Sequence, residues 1–271
     1  MISANCRNLI FKTALLLAFC TAPYVQAQVT VTTSDGTSFT GALAEWNAKG
    51  LTLSLPSGEQ TQLAADQLLS VQPQFATELD EPDTGRLELV DGTILPFTTY
   101  TVSDRQATVG TTLSDQPLSI PTSSIQRLQF APLEEKVSQL WNDLADKQLT
   151  GDVLIVYKNK GASLDYLTGV LGDVSDEQLT FRWDNDEIPV KRSKVAAFSY
   201  FHSRQQEIPE PLCWAKLRTD ARLPISSITY SQEELQLATS GGLKFQIPFA
   251  ALDEVDYSFG KVVYLSDLQP V

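Results

Sequence analysis

One short pattern occurs four times in the chain and constrains the fold more than any other feature. It begins with an apolar residue, usually followed by proline, and ends with two apolar positions three residues apart. The copies occupy residues 63–71, 120–128, 188–198 and 247–255. A strand-like triplet precedes each copy, and the triplets are centred on residues 52, 108, 180 and 236, at intervals of 56, 72 and 56. This periodicity predicts a tandem array of small β units.

Each unit is predicted to be a small SH3-like or Sm-like barrel of five short strands. Val29 and Val31 alternate with threonines, which is the period of a half-buried strand. Asp-Gly pairs at 35–36 and 91–92 predict tight turns, because glycine accepts a positive φ. In the fourth unit Asp220 is followed by alanine, which predicts a different loop there. The alternative architecture is an open meander of paired hairpins.

One helix is predicted between the second and third units, where the repeat interval is 16 residues longer than the others. Its apolar residues form a single stripe at helical spacing: Leu133, Val137, Leu140, Trp141 and Leu144. Pro132 suits the first turn of such a helix. We expect Trp141 to be an anchor that faces the core, and the alternative is a platform for a ligand.

The predicted fold class is therefore all-β, a tandem array of four SH3-like or Sm-like barrels with one inserted α-helix. The segments are a signal peptide (1–27), repeat 1 (28–77), repeat 2 (84–131), the helix (132–148), repeat 3 (150–203), repeat 4 (211–258) and a C-terminal strand with an exit segment (259–271).

The first 27 residues have the composition of a secretory signal peptide. Arg7 and Lys12 precede an apolar run at 13–21 that is too short to span a bilayer, and small residues lie before Gln28. We expect export to the periplasm, cell envelope or extracellular space, with Gln28 as the first mature residue and no integral membrane span after cleavage. The alternative is an uncleaved anchor.

Net charge and cysteine content limit the possible partners and disulfide bonds of the mature chain. Removal of the signal leaves 18 basic and 33 acidic side chains, a net charge of −15, which argues against nucleic acid as a partner. Cys213 is then the only thiol, so no internal disulfide can form, and its apolar surroundings predict a buried, inert side chain.

The sequence contains no recognisable catalytic or metal-binding motif. His202 is the single histidine, and one histidine with one cysteine cannot build a zinc site. Asp184 and Asp186 lack the glycine and glutamate of a calcium loop, so a polar hairpin turn is expected. Lys191, Arg192 and Lys194 form a basic cluster, which predicts solvated ion pairs or, alternatively, a site for a sulfated glycan.

We accordingly predict no catalytic, cofactor-binding or metal-binding residues and no enzymatic activity. The alternative to be tested is a cryptic glycosidase, because 33 acidic residues always allow some carboxylate pair.

Several phrases in units three and four resemble a family of exported planctomycete-type proteins. They are GDVLIV at 151–156, LDYLTGV at 164–170, IPVKR at 188–192, VAAFSYF at 195–201 and GKVVYLSDL at 260–268. In that family the last phrase leads into a carbohydrate-binding module of the NPCBM/NEW2 type, a galactose-binding-like β-sandwich. The present sequence ends at Val271, where the module would begin, so no sugar-binding residue is carried over.

The resemblance implies a non-catalytic exported scaffold or interaction region associated with extracellular carbohydrate recognition. The alternative is a stand-alone cell-envelope adaptor that binds protein or peptidoglycan through an SH3-like groove. The expected partners are thus a glycan or a cell-envelope protein.

Overall fold

The computed structural model describes residues 27–74, 85–130, 135–145, 147, 150–161, 163–184, 186–203 and 207–261. These residues form 21 β-strands and one α-helix, which confirms the predicted all-β class with an inserted helix. The predicted signal up to residue 26, residues 75–84 between repeats 1 and 2, Pro132 and the C-terminal residues 262–271 lie outside the described residues.

The strands are described below in four groups in chain order, which we call repeats 1 to 4. Repeat 1 contains β1 Gln28–Thr33, β2 Ser38–Asn47, β3 Gly50–Ser54, β4 Gln60–Ala64 and β5 Leu68–Pro73. Repeat 2 contains β6 Gly85–Leu89, β7 Ile94–Phe97, β8 Thr99–Ser103, β9 Gln106–Gly110, β10 Leu118–Pro121 and β11 Ile125–Gln129. Helix α1 is Glu135–Ala145. Repeat 3 contains β12 Asp152–Lys158, β13 Ser163–Val174, β14 Gln178–Trp183, β15 Asp186–Lys191 and β16 Val195–Ser199. Repeat 4 contains β17 Cys213–Leu217, β18 Arg222–Ser231, β19 Glu234–Thr239, β20 Lys244–Pro248 and β21 Leu252–Asp256.

All four repeats have the same order of antiparallel strand pairing. The first strand lies between the second and the last, the second pairs with the third, and the third pairs with the fourth. In repeat 2 the second strand is split into β7 and β8 just after Pro96, a residue that has no N–H to donate to the ladder. Closure of each ladder into a barrel stays a prediction.

The fourfold sequence pattern corresponds to the edge of each ladder. Its proline lies in the fourth strand in repeats 2 to 4, at Pro121, Pro189 and Pro248, and a 3₁₀ turn follows before the last strand. Proline lacks an N–H, so it fits a strand with one unpaired side and discourages pairing with another chain. The two apolar positions that end the pattern are buried in every repeat, as in Ile125 and Leu128.

The first turn of repeat 4 corrects one prediction. The same two backbone hydrogen bonds close the turn after β1 and the turn after β17. Gly36 occupies the left-handed position in the first (φ 84°) and Asp220 in the second (φ 61°). The expected different loop is therefore wrong, because aspartate is one of the few residues that tolerate this conformation.

The repeats associate in a nested order, 1 with 4 and 2 with 3. Strand β5 pairs antiparallel with β21, and β11 pairs antiparallel with β16. In both cases the final residues of two pattern copies face each other, Val71 opposite Val255 and Leu128 opposite Phe198. Each pair of repeats therefore has an internal approximate two-fold axis, and the repeats are not independent barrels on a string.

The second strands also obey this approximate symmetry. Trp46 in β2 is opposite Tyr230 in β18, and Val102 in β8 is opposite Val174 in β13. One further register contact, Arg222 opposite Ile94, joins the two pairs of repeats through β18 and β7. A single contiguous apolar core consequently runs through all four repeats.

Helix α1 covers only the pair formed by repeats 2 and 3. Its buried residues Val137 and Leu144 pack on Val153, Ile155 and Ala196, on the outer face of β12 and β16. Both faces of these two strands are apolar because one face contributes to the repeat core and the other lies under the helix. The helix thus explains the extra residues between repeats 2 and 3.

Candidate functional site

A cavity of about 670 Å³ lies where repeats 2, 3 and 4 meet. We call it the inter-repeat cavity. Its side chains include one exposed aromatic ring, one imidazole, two carboxylates, an amide and a hydroxyl, contributed by Phe201, His202, Asp91, Glu210, Gln126 and Ser240. Such a mixture of an aromatic surface with a few polar groups is typical of small-ligand sites.

Phe201 is held in place by the half-buried carboxylate of Asp152. The backbone N–H of Phe201 donates to Asp152 Oδ1 over 2.7 Å, and the N–H of Leu171 donates to Oδ2 over 2.7 Å. Burial raises the pKa of Asp152, although these two hydrogen bonds favour its charged form. The residue Phe201 is 44% exposed, so its backbone N–H is fixed while part of the side chain remains accessible to a ligand.

His202 connects repeats 2 and 3 through a side-chain hydrogen bond. Its Nε2 lies 2.8 Å from the carbonyl oxygen of Ile125, so the nitrogen must carry a proton and donate. In the other pair of repeats Lys261 Nζ donates to the carbonyl of Leu68 over 2.8 Å. Leu68 begins β5 as Ile125 begins β11, so the two contacts occupy equivalent places. The only histidine therefore has a structural partner.

Two further groups form the rim of the cavity towards repeat 4. Asp91 accepts the N–H of Thr93 through Oδ1 at 2.9 Å and the N–H of Gly241 through Oδ2 at 2.8 Å. Its carboxylate thereby joins repeats 2 and 4. Ser240 Oγ is buried and has no hydrogen-bond partner in the described part of the chain. Water or a ligand group in the cavity would give this hydroxyl a hydrogen-bond partner.

The thiol of Cys213 lies away from the cavity, at the interface of repeats 1 and 4. It is fully buried, as predicted, and hydrogen-bonds the Tyr257 hydroxyl, which also accepts the Trp46 indole N–H over 3.1 Å. Burial raises the pKa of Cys213 to about 12, so the thiol is protonated at neutral pH and is a poor nucleophile.

The predicted basic cluster does not form one solvated surface. Arg192 turns inward, with its guanidinium carbon 3.5 Å from the centroid of the Phe130 ring and Nη1 donating to the Tyr100 carbonyl over 3.2 Å. It therefore connects repeat 3 to repeat 2, and the prediction of solvated pairing is wrong for this residue. Lys191 and Lys194 are exposed.

The sequence predictions did not single out Phe201, although a signal was present. Tyr200 and Phe201 follow a buried strand directly, and adjacent residues of an extended chain point to opposite sides. One of two successive aromatic rings must then face outward.

The Asp184 turn is a hairpin turn at φ 50°, and Asn185 lies outside the described residues.

Within the described residues no group of three or more His, Cys, Asp or Glu side chains is arranged to hold a metal ion. None of the helices in that part of the chain has the length and apolar character needed to cross a membrane. No family model matches the chain, and no curated protein matches it.

Proposed function

We propose that this protein is a non-catalytic exported interaction scaffold whose inter-repeat cavity binds a carbohydrate. The observation that carries the proposal is the exposed Phe201 ring beside the polar groups of Asp91, Gln126 and Glu210. Aromatic rings pack against the C–H faces of sugars, while carboxylates and amides accept and donate hydrogen bonds to hydroxyl groups. The resemblance to exported carbohydrate-associated proteins supports the same ligand class.

A glycan array probed with the purified chain tests the proposal. A glycan that binds is then titrated against Phe201→Ala, for which we expect affinity to fall about tenfold. Phe259→Ala is the matched control, because Phe259 is also exposed, at 54%, but does not line the cavity. Equal losses in both variants, or no binding of any glycan, would contradict the proposed function.

The adaptor alternative is favoured by a different surface. Trp183 and Ile188 are exposed by 49% and 36% and lie on the same face of β14 and β15, because Ile188 is opposite Phe181, two residues before Trp183. Neighbouring exposed apolar side chains of this size are typical of protein contact sites. Capture of one reproducible envelope protein by the wild type, lost in Trp183→Ala and retained in Phe201→Ala, would favour the adaptor over the carbohydrate scaffold.

A further inference from the structure

A second cavity, of about 250 Å³, lies between helix α1 and the outer face of repeat 2. We call it the helix cavity. It shares no lining residue with the inter-repeat cavity, so an inference about it stands independently of the proposed function. Its lining has a composition that is unusual in this acidic chain.

The floor of the helix cavity is built from two cross-strand pairs. Arg127 is opposite Glu88, and Gln129 is opposite Arg86, in the register of β11 with β6. Side chains two apart on a strand share a face, so all four lie on the outer face of these strands. Arg127 Nε donates to Glu88 Oε2 over 2.6 Å, which neutralises the only carboxylate in the lining.

Arg86 supplies the net charge of the helix cavity. Its guanidinium makes no hydrogen bond or ion pair with the residues that the structure describes. Together with the Arg127–Glu88 pair it leaves the lining with a net charge of +1, in a chain whose net charge is −13. A guanidinium is the side chain best suited to hold a carboxylate, through two parallel hydrogen bonds.

The wall of the helix cavity comes from one face of α1. Ser138, Trp141 and Asn142 are spaced i, i+3 and i+4, so they project on the same side of the helix. Trp141 is half-buried and packs against the cluster beneath the helix, which holds the indole in place beside the cavity. The sequence predicted Trp141 as an anchor and left a ligand platform as the alternative, and the indole lies where it can serve both purposes.

One polar atom in this wall lacks a partner. Ser138 Oγ is buried and makes no hydrogen bond within the described residues. A buried unpartnered hydroxyl weakens the folded state, so its presence next to a cavity calls for an acceptor or donor that occupies the space. The cavity volume is below that of sites for drug-sized molecules, which limits the occupant to about a single ring.

We propose that the helix cavity binds a carboxylate-bearing sugar ring of the hexuronate class. The indole of Trp141 would support the ring face, Arg86 would hold the carboxylate, and Ser138 would bond a hydroxyl group. Asn142, which carries both a donor and an acceptor, would bond a second hydroxyl. Carboxylate and hydroxyl groups on one small ring are the chemistry that these side chains complement.

Calorimetric titration of the purified chain with sodium galacturonate tests this assignment. We expect saturable binding that weakens at high salt, and at least tenfold weaker binding of galactose, which lacks the carboxylate. Benzoate, which has a ring and a carboxylate but no hydroxyl groups, is also expected to bind at least tenfold more weakly. Equal binding of benzoate and galacturonate would overturn the sugar assignment, and no binding of either would overturn the site.

Substitutions at two exposed residues test where galacturonate binds without disturbing the apolar core. Arg86→Gln is expected to weaken galacturonate binding at least tenfold, and Asn142→Ala to weaken it severalfold. Arg182→Gln is the matched control, because Arg182 is an exposed arginine on β14 outside the helix cavity. Phe259→Ala, at an exposed residue outside both cavities, should leave galacturonate binding unchanged. A loss in Arg182→Gln or Phe259→Ala as large as that in Arg86→Gln would overturn the assignment.

Discussion

Replacement of Tyr257 by phenylalanine should destabilise the interface of repeats 1 and 4 by a predictable amount. The Tyr257 hydroxyl accepts the indole N–H of Trp46 at 3.1 Å, and both side chains are almost completely buried. Without the hydroxyl, the indole N–H remains buried with no partner. A buried donor left in this state costs about 1–3 kcal/mol, so we expect the free energy of unfolding to fall by about 2 kcal/mol.

The approximate two-fold symmetry supplies the matched control, Tyr200→Phe. Tyr200 follows β16 as Tyr257 follows β21, but its hydroxyl is 3.3 Å from the Tyr100 hydroxyl and the residue is only half-buried. Tyr200→Phe also removes the partner of the buried Tyr100 hydroxyl, but Tyr200 lines the inter-repeat cavity, so water can take the place of its hydroxyl and the loss should be below about 1 kcal/mol.

Urea unfolding followed by circular dichroism measures both variants, and thermal melting provides a second readout. A loss of about 2 kcal/mol corresponds to a Tm lower by about 4–8 °C in a protein of this size. The double variant Trp46→Phe with Tyr257→Phe removes donor and acceptor together, so the combined loss should be smaller than the sum of the single losses. Equal costs for Tyr257→Phe and Tyr200→Phe, or additive losses in the double variant, would refute the reasoning.

Four other predictions follow from single sites. Leu144→Ala should lower the free energy of unfolding by about 2–5 kcal/mol, measured by urea unfolding, because it opens a cavity beneath the helix. Gly169→Ala should lower the free energy of unfolding by at least about 3 kcal/mol, because the added Cβ would lie 2.3 Å from a backbone carbonyl oxygen of β14. This loss should be larger than the ~1 kcal/mol expected in Gly36→Ala, where conformational strain is the only cost. The pKa of Asp152 is raised above 3.8 in the folded state, so its contribution to stability falls as the pH rises through the window between 3.8 and the raised value. The free energy of unfolding, measured with urea at several pH values across that window, should show this pH dependence in the wild type and lack it in Asp152→Asn. Cys213 should resist a thiol reagent at pH 8 until urea unfolds the protein, because its pKa is about 12, and rapid labelling of the native protein would contradict its burial.

The repeats could be predicted from sequence because burial repeats locally. Positions such as Ile125 and Leu128 recur at fixed spacing, and the structure buries them in the last strand of each ladder. The helix could also be predicted, since its apolar stripe has the period of an α-helix and residues 135–145 form that helix. Its location on β12 had a signal as well: successive apolar residues at 153–155 indicate a strand that is buried on both faces.

The nested pairing of the repeats could not be predicted in the same way. Every repeat has the same pattern of inward-facing residues, so the pattern contains no information about which last strand pairs with which. The inward turn of Arg192 onto Phe130 was missed for the same reason, because Phe130 belongs to another repeat. The inter-repeat cavity likewise depends on three repeats meeting, so it was invisible in any single stretch of sequence.

The two pairs of repeats differ in how many groups they contribute to the two proposed sites. Repeats 1 and 4 enclose the buried Trp46–Tyr257 network, and the outer faces of their last strands are polar, as at Gln72 and Glu254. Repeats 2 and 3 add the helix, contribute most of the inter-repeat cavity and contain the helix-cavity floor.

Exposure of apolar side chains follows the same division. Of the five large apolar side chains that are exposed in the described residues, four lie in repeat 3 and one follows repeat 4: Val170, Trp183, Ile188, Phe201 and Phe259. Exposed apolar surface lowers solubility, so its concentration on one repeat argues that this repeat has partners to bind. Under the proposed function, the ligand and partner contacts would lie mainly on repeats 2 and 3, and the buried network of repeats 1 and 4 would contribute mainly to stability.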